Sequence, residues 1–260
     1  MAPTGPDHDA PAATYGYRPA TYGDGFADVY DEWYADVSPP AATAAFLAAR
    51  TPGPVLELGS GTGRLAGPLR SAGVPVVGLD ASTAMLERSA RQHPGVPVLA
   101  ADMAELPVRH GSVGAVLVAF NTLFNLPSHA LQRRCLTQAR EAVRTDGIVV
   151  VEAFVPGTGA DEASDHVDVV RIEADLVVLR VSRTDPDAGT VRGHHVELRD
   201  GQPVRLRPWQ VCFSTPEVLD DLAATAGLEV AERHGGWEGE PFGPASDVHV
   251  TVYRHLSVPG

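Results

Sequence analysis

Three glycines at alternate positions, Gly59, Gly61 and Gly63, follow the apolar run Val55-Leu56-Glu57-Leu58 and open onto a helix-like stretch. Glycine lets a backbone approach a ligand closely. The segment therefore reads as a buried strand, a tight turn and a helix start that together hold a nucleotide-like cofactor. Ser60 and Arg64 complete the loop. Glu57 bears on the charge of that cofactor, because phosphate sites rely on bare amides and the positive end of a helix. A fixed carboxylate opposes a pyrophosphate and suits an organic cation with an ammonium group. Gly61-Thr62-Gly63-Arg64-Leu65-Ala66 also satisfies G-x-G-x-x-A, the relaxed dinucleotide fingerprint, so a nicotinamide- or flavin-dependent oxidoreductase is the rival. Two further carboxylates end the next apolar runs. Asp80, 17 residues after Gly63, can accept from both ribose hydroxyls. Asp102 can accept from an adenine amino group. Ala81, Met85, Ala101 and Met103 flank these acids, with Met85 placed to lie against the adenine.

The elements that must position these groups alternate. Strands are expected at 54–59, 74–80, 97–101, 113–120 and 148–154, with helices from 63, from Ser82 as N-cap, and from His129 along Leu131, Cys135, Leu136, Ala139 and Val143. Asp146-Gly147 is expected as the turn into the fifth strand. Phe26 to Tyr34, FADVYDEWY, has helical spacing, and a second helix is expected after Ser38-Pro39-Pro40. Strands alternating with amphipathic helices specify a parallel sheet covered on both faces. After Phe154 the pattern changes to successive strands near 166–173, 176–183, 190–199 and 203–213, separated by Asp185-Pro186-Asp187-Ala188-Gly189 and Asp200-Gly201. A helix over 216–226 and strands from Leu228 and over 248–254 then complete a core of seven strands. The fold class is α/β: a Rossmann-like, doubly wound, mostly parallel sheet with an inserted antiparallel sheet roofing the cleft. Residues 1–20 are expected as a flexible arm, 21–155 as the core with an N-terminal helical lid, 156–213 as the inserted sheet and 214–260 as the completion of the core.

Composition narrows the partners. With 33 acidic and 20 basic residues the formal charge is −13, which disfavours a nucleic-acid substrate because phosphate neutralisation needs a basic surface. All basic residues are arginine, as expected of a high-GC bacterial genome. Cys135 and Cys212 lie in apolar patterns without metal-ligand spacing, so buried reduced thiols, no metal and a cytosolic location are expected. No apolar run approaches the ~20 residues of a membrane helix, so no membrane partner is expected.

The pattern E-x-G-x-G-x-G at Glu57–Gly63, with Asp80 and Asp102 at the next strand ends, resembles the class I methyltransferases that use S-adenosylmethionine (SAM). The resemblance covers roughly residues 24–255 and implies SAM as cofactor, with an ammonium and a sulfonium but no phosphate. FADVYDEWY and the inserted strands also resemble the sugar N,N-dimethyltransferases of macrolide biosynthesis and related actinobacterial natural-product enzymes. By that resemblance Tyr34, with Tyr30, closes over the methionine moiety; Tyr22 is a further cofactor-binding candidate, and Tyr34 and His195 are the candidate catalytic residues. His194 and His195 are adjacent on one strand, so alternation sends only one of them to the cleft. Phe120 and Asn121, at the end of the fourth strand, are expected at the cofactor. Trp33, Asn125, Phe154, His194 and Trp209 are the candidate acceptor contacts. The expected acceptor is a small secondary metabolite, methylated at an amine nitrogen as the resemblance implies or, from the aromatic residues at cleft-forming elements, at an electron-rich aromatic or indole carbon. A noncatalytic SAM-binding regulator or scaffold is the alternative from a different class, and the sequence leaves the oligomeric state open, a homodimer being one option.

Overall fold

The computed structural model describes residues 16–34, 37–51, 53–157 and 163–256. Five strands run parallel: β1 (Val55–Leu58), β2 (Val76–Asp80), β3 (Val98–Ala100), β4 (Val113–Val118) and β5 (Val143–Phe154), in spatial order β3-β2-β1-β4-β5. Their aliphatic runs are what a sheet covered on both faces requires. The last strand, β11 (Val248–His255), lies antiparallel against β5, and β10 (Leu228–His234) forms the edge beyond it. One core packs Leu56, Val116 and Val149 beneath Cys135, Leu136 and Leu219 of α6 (His129–Ala142) and α7 (Pro216–Thr225). The opposite face packs Val55, Ala115 and Val150 against α3 (Pro40–Ala48) and α4 (Ala66–Ser71). Each fully buried Val or Leu contributes about 1.5–3 kcal/mol.

Helix starts follow side-chain capping. Ser82 accepts from the amide of Met85 to begin α5 (Thr83–Gln92), Ser128 from Leu131 to begin α6, and Thr215 from Val218 to begin α7. The turn expected at Asp146-Gly147 is absorbed within β5: the β4–β5 register shifts between Val113 and Ala115, so the strand is continuous from Val143.

The inserted sheet is antiparallel, β6 (Ser164–Ile172), β7 (Leu176–Asp185), β8 (Thr190–Arg199) and β9 (Arg205–Cys212), in that order. Between this sheet and α5 lies the N-terminal lid. The single helix expected over 26–34 is instead α1 (Thr21–Phe26) and α2 (Tyr30–Trp33). The amide of Val29 bonds to the carbonyl of Phe26, a tighter closure that interrupts the i→i−4 ladder. Phe26, Ala27 and Met85 form a third cluster with Tyr22, Tyr30, Trp33, Tyr34 and Trp209, joining lid, core and inserted sheet. The arm expected over 1–20 lies outside the described residues as far as residue 15. Tyr17, Arg18 and Pro19 are described and stand on the cavity wall rather than apart from the fold.

Candidate active site

A cavity of about 480 Å³ opens beyond the C-terminal ends of β1, β2 and β4. From β1 the chain runs to β2 on one side, and β4, reached later from β3, lies on the other, the switch point at which doubly wound sheets bind ligands. The glycine loop forms one wall. Gly59 has φ +62°, and a Cβ there would stand within 2.4 Å of Thr122 Cγ2, so both backbone shape and space demand glycine. Asp80 fixes the loop from β2, accepting from the amide of Gly61 at 2.9 Å and of Ser82 at 2.8 Å. Burial raises its pKa, and these amides partly offset the rise. Ala81, Met85, Ala101, Asp102 and Met103 line the same half, and Asp102 accepts from the amide of Ala104 at 2.8 Å.

Glu57, Ser60, Gly63 and Arg64 do not line the cavity but lie behind it. Glu57 is 4% exposed, and its Oε2 is buried without a hydrogen-bond partner, as is Ser60 Oγ. Burial pushes the Glu57 carboxyl up to about 8; Arg64 opposes the rise and Asp80 adds to it. The Arg64 guanidinium turns to the carbonyls of Val37 and Ser38. Gly63 packs against Ser89.

The lid supplies a run of rings. Tyr22, Tyr30, Trp33 and Tyr34 all line the cavity, with Tyr30 and Tyr34 centroids 5.0 Å apart and Tyr34 5.5 Å from Phe120. Burial raises the hydroxyl pKa of all three tyrosines, so they stay protonated and serve as hydrogen-bond donors. Phe120 and Asn121 have φ +45° and +61°, left-handed values that cost energy in residues other than glycine. Their neighbours hold them there. Glu152 Oε2 accepts from the amide of Phe120 at 2.7 Å and from Ser38 Oγ at 2.6 Å, while Trp237 Nε1 donates to Oε1 at 2.8 Å. Asn121 Oδ1 accepts from the amide of Phe154 at 2.7 Å. Asn125 lines the cavity, whereas Phe154 does not: at the end of β5 its ring packs on Phe124.

The inserted sheet forms the roof. Cross-strand register sets Asp168, Arg180, His195 and Arg207 in one row over β6–β9. Arg180, His195 and Trp209 line the cavity, and His194, one residue along β8, faces the other side of the sheet, which removes it from the acceptor contacts expected from sequence. The His195 ring packs edge-on to Phe26 at 5.3 Å and stands 5.6 Å from Trp33. Burial, then Arg180 and Arg207, push its pKa down to about 4. His195 Nδ1 and Trp209 Nε1 are both buried without hydrogen-bond partners. Arg207, 1% exposed, binds Glu197 and Asp28 at 2.6 Å each and also donates to the carbonyl of Gly25, pinning the lid to the roof. The lid is fastened to the core as well. Asp31 accepts from Thr62 Oγ1 and from Gln92 Nε2, and Asp24 accepts from Ser82 Oγ.

Sequence reasoning missed Tyr17, Thr122, Leu131, Val170, Arg180 and Val211 on the wall, and Glu152 and Arg207 behind it. Arg180 and Arg207 owe their place to register between distant strands. Among the described residues no group of three or more His, Cys, Asp or Glu side chains could hold a metal ion.

Residues 55–147 match the methyltransferase-domain family. The CcbJ methyltransferase from Streptomyces caelestis is 39% identical, over 93% of this chain and 100% of that one, with a TM-score of 0.83. The chain belongs to the class I SAM-dependent methyltransferases. An uncharacterised methyltransferase of Oceanobacillus iheyensis is 30% identical over 96 residues, and the match spans 44% of that protein's length. A demethylmenaquinone methyltransferase of Streptomyces avermitilis is 27% identical over 69% of this chain and 70% of its own. Neighbours in fold, at 19% and 23% identity, include sugar and amino-pentose methyltransferases. The cofactor half of this methyltransferase fits SAM. It offers a buried carboxylate oxygen without a partner, an acid at the end of β2, a second after β3, and a loop that brings backbone close. Asp80 and Asp102, the acids expected from sequence at the adenosine, line that half of the cavity, while Glu57 lies behind its wall.

Proposed function

We propose that this methyltransferase acts on the neutral amine nitrogen of a small natural product. SAM supplies a methyl group already activated on a sulfonium, so the protein has two tasks: to align the acceptor and to keep its lone pair free of a proton. The observation that carries the proposal is the composition of the wall at the acceptor end. Arg180 stands on the cavity wall with Asp168 held at 2.9 Å, and the acids lining the cavity, Asp80 and Asp102, lie at the cofactor end, so among the described residues no unpaired carboxylate lines the acceptor end. Burial in a site without an unpaired carboxylate disfavours an ammonium by desolvation, and the amine binds in its reactive form. A phenol or ring carbon needs a base matched to neutral pH. His195, at about 4, is too weak for that task, and the lid tyrosines hold their protons. His195 Nδ1 and Trp209 Nε1 instead offer hydrogen bonds to polar groups of the acceptor. The resemblance to sugar N,N-dimethyltransferases points to the same atom.

An electron-rich aromatic carbon is the second choice, favoured by Trp33 and Trp209 on the wall and by the likeness to a demethylmenaquinone methyltransferase. Incubation with methyl-labelled SAM and panels of amines, phenols and indoles separates the two. Label is expected in amines, with kcat/KM rising as pH approaches the amine's own pKa and no inflection from His195 near 6.5. Label in ring carbons alone would overturn the amine assignment.

A further inference from the structure

Among the described residues three that are not glycine have positive φ: Ser38 at +42°, Phe120 at +45° and Asn121 at +61°. Such residues cluster at functional sites, where the surrounding structure must hold them in an unfavoured conformation. All three meet at Glu152. Its Oε2 accepts from Ser38 Oγ and from the amide of Phe120, and its backbone carbonyl accepts from the amide of Asn121 at 3.1 Å. Its other carboxylate oxygen takes the indole N–H of Trp237. A carboxylate suits this meeting because it only accepts, whereas an amide would turn a donor of its own toward one of these donors. At 8% exposure the side chain has little water to stand in for a lost partner.

The turn that Glu152 holds lies where the parts of the cavity meet. Thr122 packs against Gly59 of the glycine loop, Phe120 packs on Tyr34 of the lid, and Phe120, Asn121 and Thr122 all line the cavity. Asn121 Oδ1 ties the same turn to Phe154, two residues along β5 from Glu152. Ser38 looks both ways: its hydroxyl goes to Glu152, and its carbonyl accepts at 3.0 Å from Arg64, which follows the glycine loop. Glu152 itself does not line the cavity, so it acts on the reaction through the turn.

We propose that Glu152 is a positioning residue for methyl transfer: it fixes the Phe120–Asn121 turn, and with it the wall against which the acceptor is aligned to the methyl group. A misplacement of about 1 Å can cost an aligned reaction about a hundredfold in rate. Once its anchor is weakened, a turn held at unfavoured angles relaxes toward ordinary ones. Asp80 and Asp102 bond to amides of their own loops and not to Glu152, so alignment fails before SAM binding does. The role is the same whichever atom of the acceptor is methylated.

Glu152→Gln in the whole chain tests this. Hydrogen exchange read by mass spectrometry needs no acceptor, and the amides of residues 119–126 are expected to exchange at least tenfold faster while those of α6 keep their rate. SAM affinity by titration calorimetry is expected within threefold of the wild type. With the compound that takes most label from methyl-labelled SAM, kcat per folded molecule is expected to fall at least thirtyfold, with KM for SAM within threefold. Exchange over 119–126 that is unchanged, or that rises no more than in α6, overturns the proposal, because a residue that only supports the core loosens the chain evenly. So does a folded variant with wild-type kcat. Trp237→Phe separates hydrogen bonding from packing, since it removes the donor that the new amide must oppose. Added to Glu152→Gln, it is expected to slow exchange over 119–126 at least threefold; exchange that quickens further overturns the assignment. Should Glu152→Gln unfold, Ser38→Ala, which takes one donor from Oε2, is read for exchange at least threefold faster and confined to 119–126, and no change there overturns it equally.

Discussion

Burial holds the proton on Glu57 up to about pH 8, whereas an unfolded chain releases it near 4.5. Between those values the native state binds more protons than the unfolded one, so this group's contribution to stability falls as pH rises across that window. A cationic ligand reverses the balance by favouring the carboxylate. Glu57→Gln is therefore expected to raise the melting temperature of the free protein at pH 8 and to leave it unchanged at pH 4, by scanning calorimetry. The same substitution is expected to weaken SAM at pH 8 by about tenfold, or about 1.4 kcal/mol, by titration calorimetry. Equal thermal shifts at both pH values, or undiminished affinity, would contradict the placement of Glu57 at the methionine end. Glu57 stands out in the sequence because a carboxylate interrupts an apolar strand beside a glycine loop. Glu152 offers no comparable clue: its role arises from Phe120, Ser38 and Trp237, which converge on it from three separate parts of the chain.

At the scale of elements, three arginines of the roof hold the lid, Arg205 and Arg207 at Asp28 and Arg171 at Glu32, and Arg207 is the buried one of the three. Burial acts to lower the pKa of Arg207, but Asp28 and Glu197 outweigh it and the group stays charged. The carboxyl of Asp28, though burial acts to raise it, is held below its ordinary value by Arg207 and Arg205. Removing one partner of a buried pair strands the other charges. Arg207→Met is expected to cost about 3 kcal/mol, a fall of about 6–12 °C in Tm for a chain of this size. Protease cleavage should also rise first within residues 21–34; a loss of stability without earlier cleavage there would show that Arg207 supports the roof alone. This clamp also explains why FADVYDEWY was only partly legible. Its spacing gives a helix, yet the Gly25 carbonyl and the Asp28 carboxylate are both held by Arg207, and the chain breaks between Phe26 and Tyr30. By contrast, α5, α6 and α7 begin where Ser82, Ser128 and Thr215 place them, since capping is written in local sequence.

Across the whole molecule, the seven-stranded sheet and the inserted four-stranded sheet follow from the alternation of periods along the chain, and both were legible. The side of the roof on which each histidine falls was not, because it is set by pairing between strands: His195 lies opposite Arg180 and Arg207, and His194 opposite Val181 and Pro208. The clamp at Asp28 has a bearing on turnover. The lid walls the cavity and is tied, through Asp28 and Arg207, to β9, which carries Trp209 on the cavity wall. Under the proposed function, a donor exchange that lifts this lid would also loosen the hold on a once-methylated molecule. On an acceptor that takes two methyl groups, catalysis should be distributive: mass spectrometry at early times should find the monomethylated compound free in solution before the dimethylated one. Dimethylated product without that intermediate would mean that donor exchange proceeds with the acceptor still enclosed.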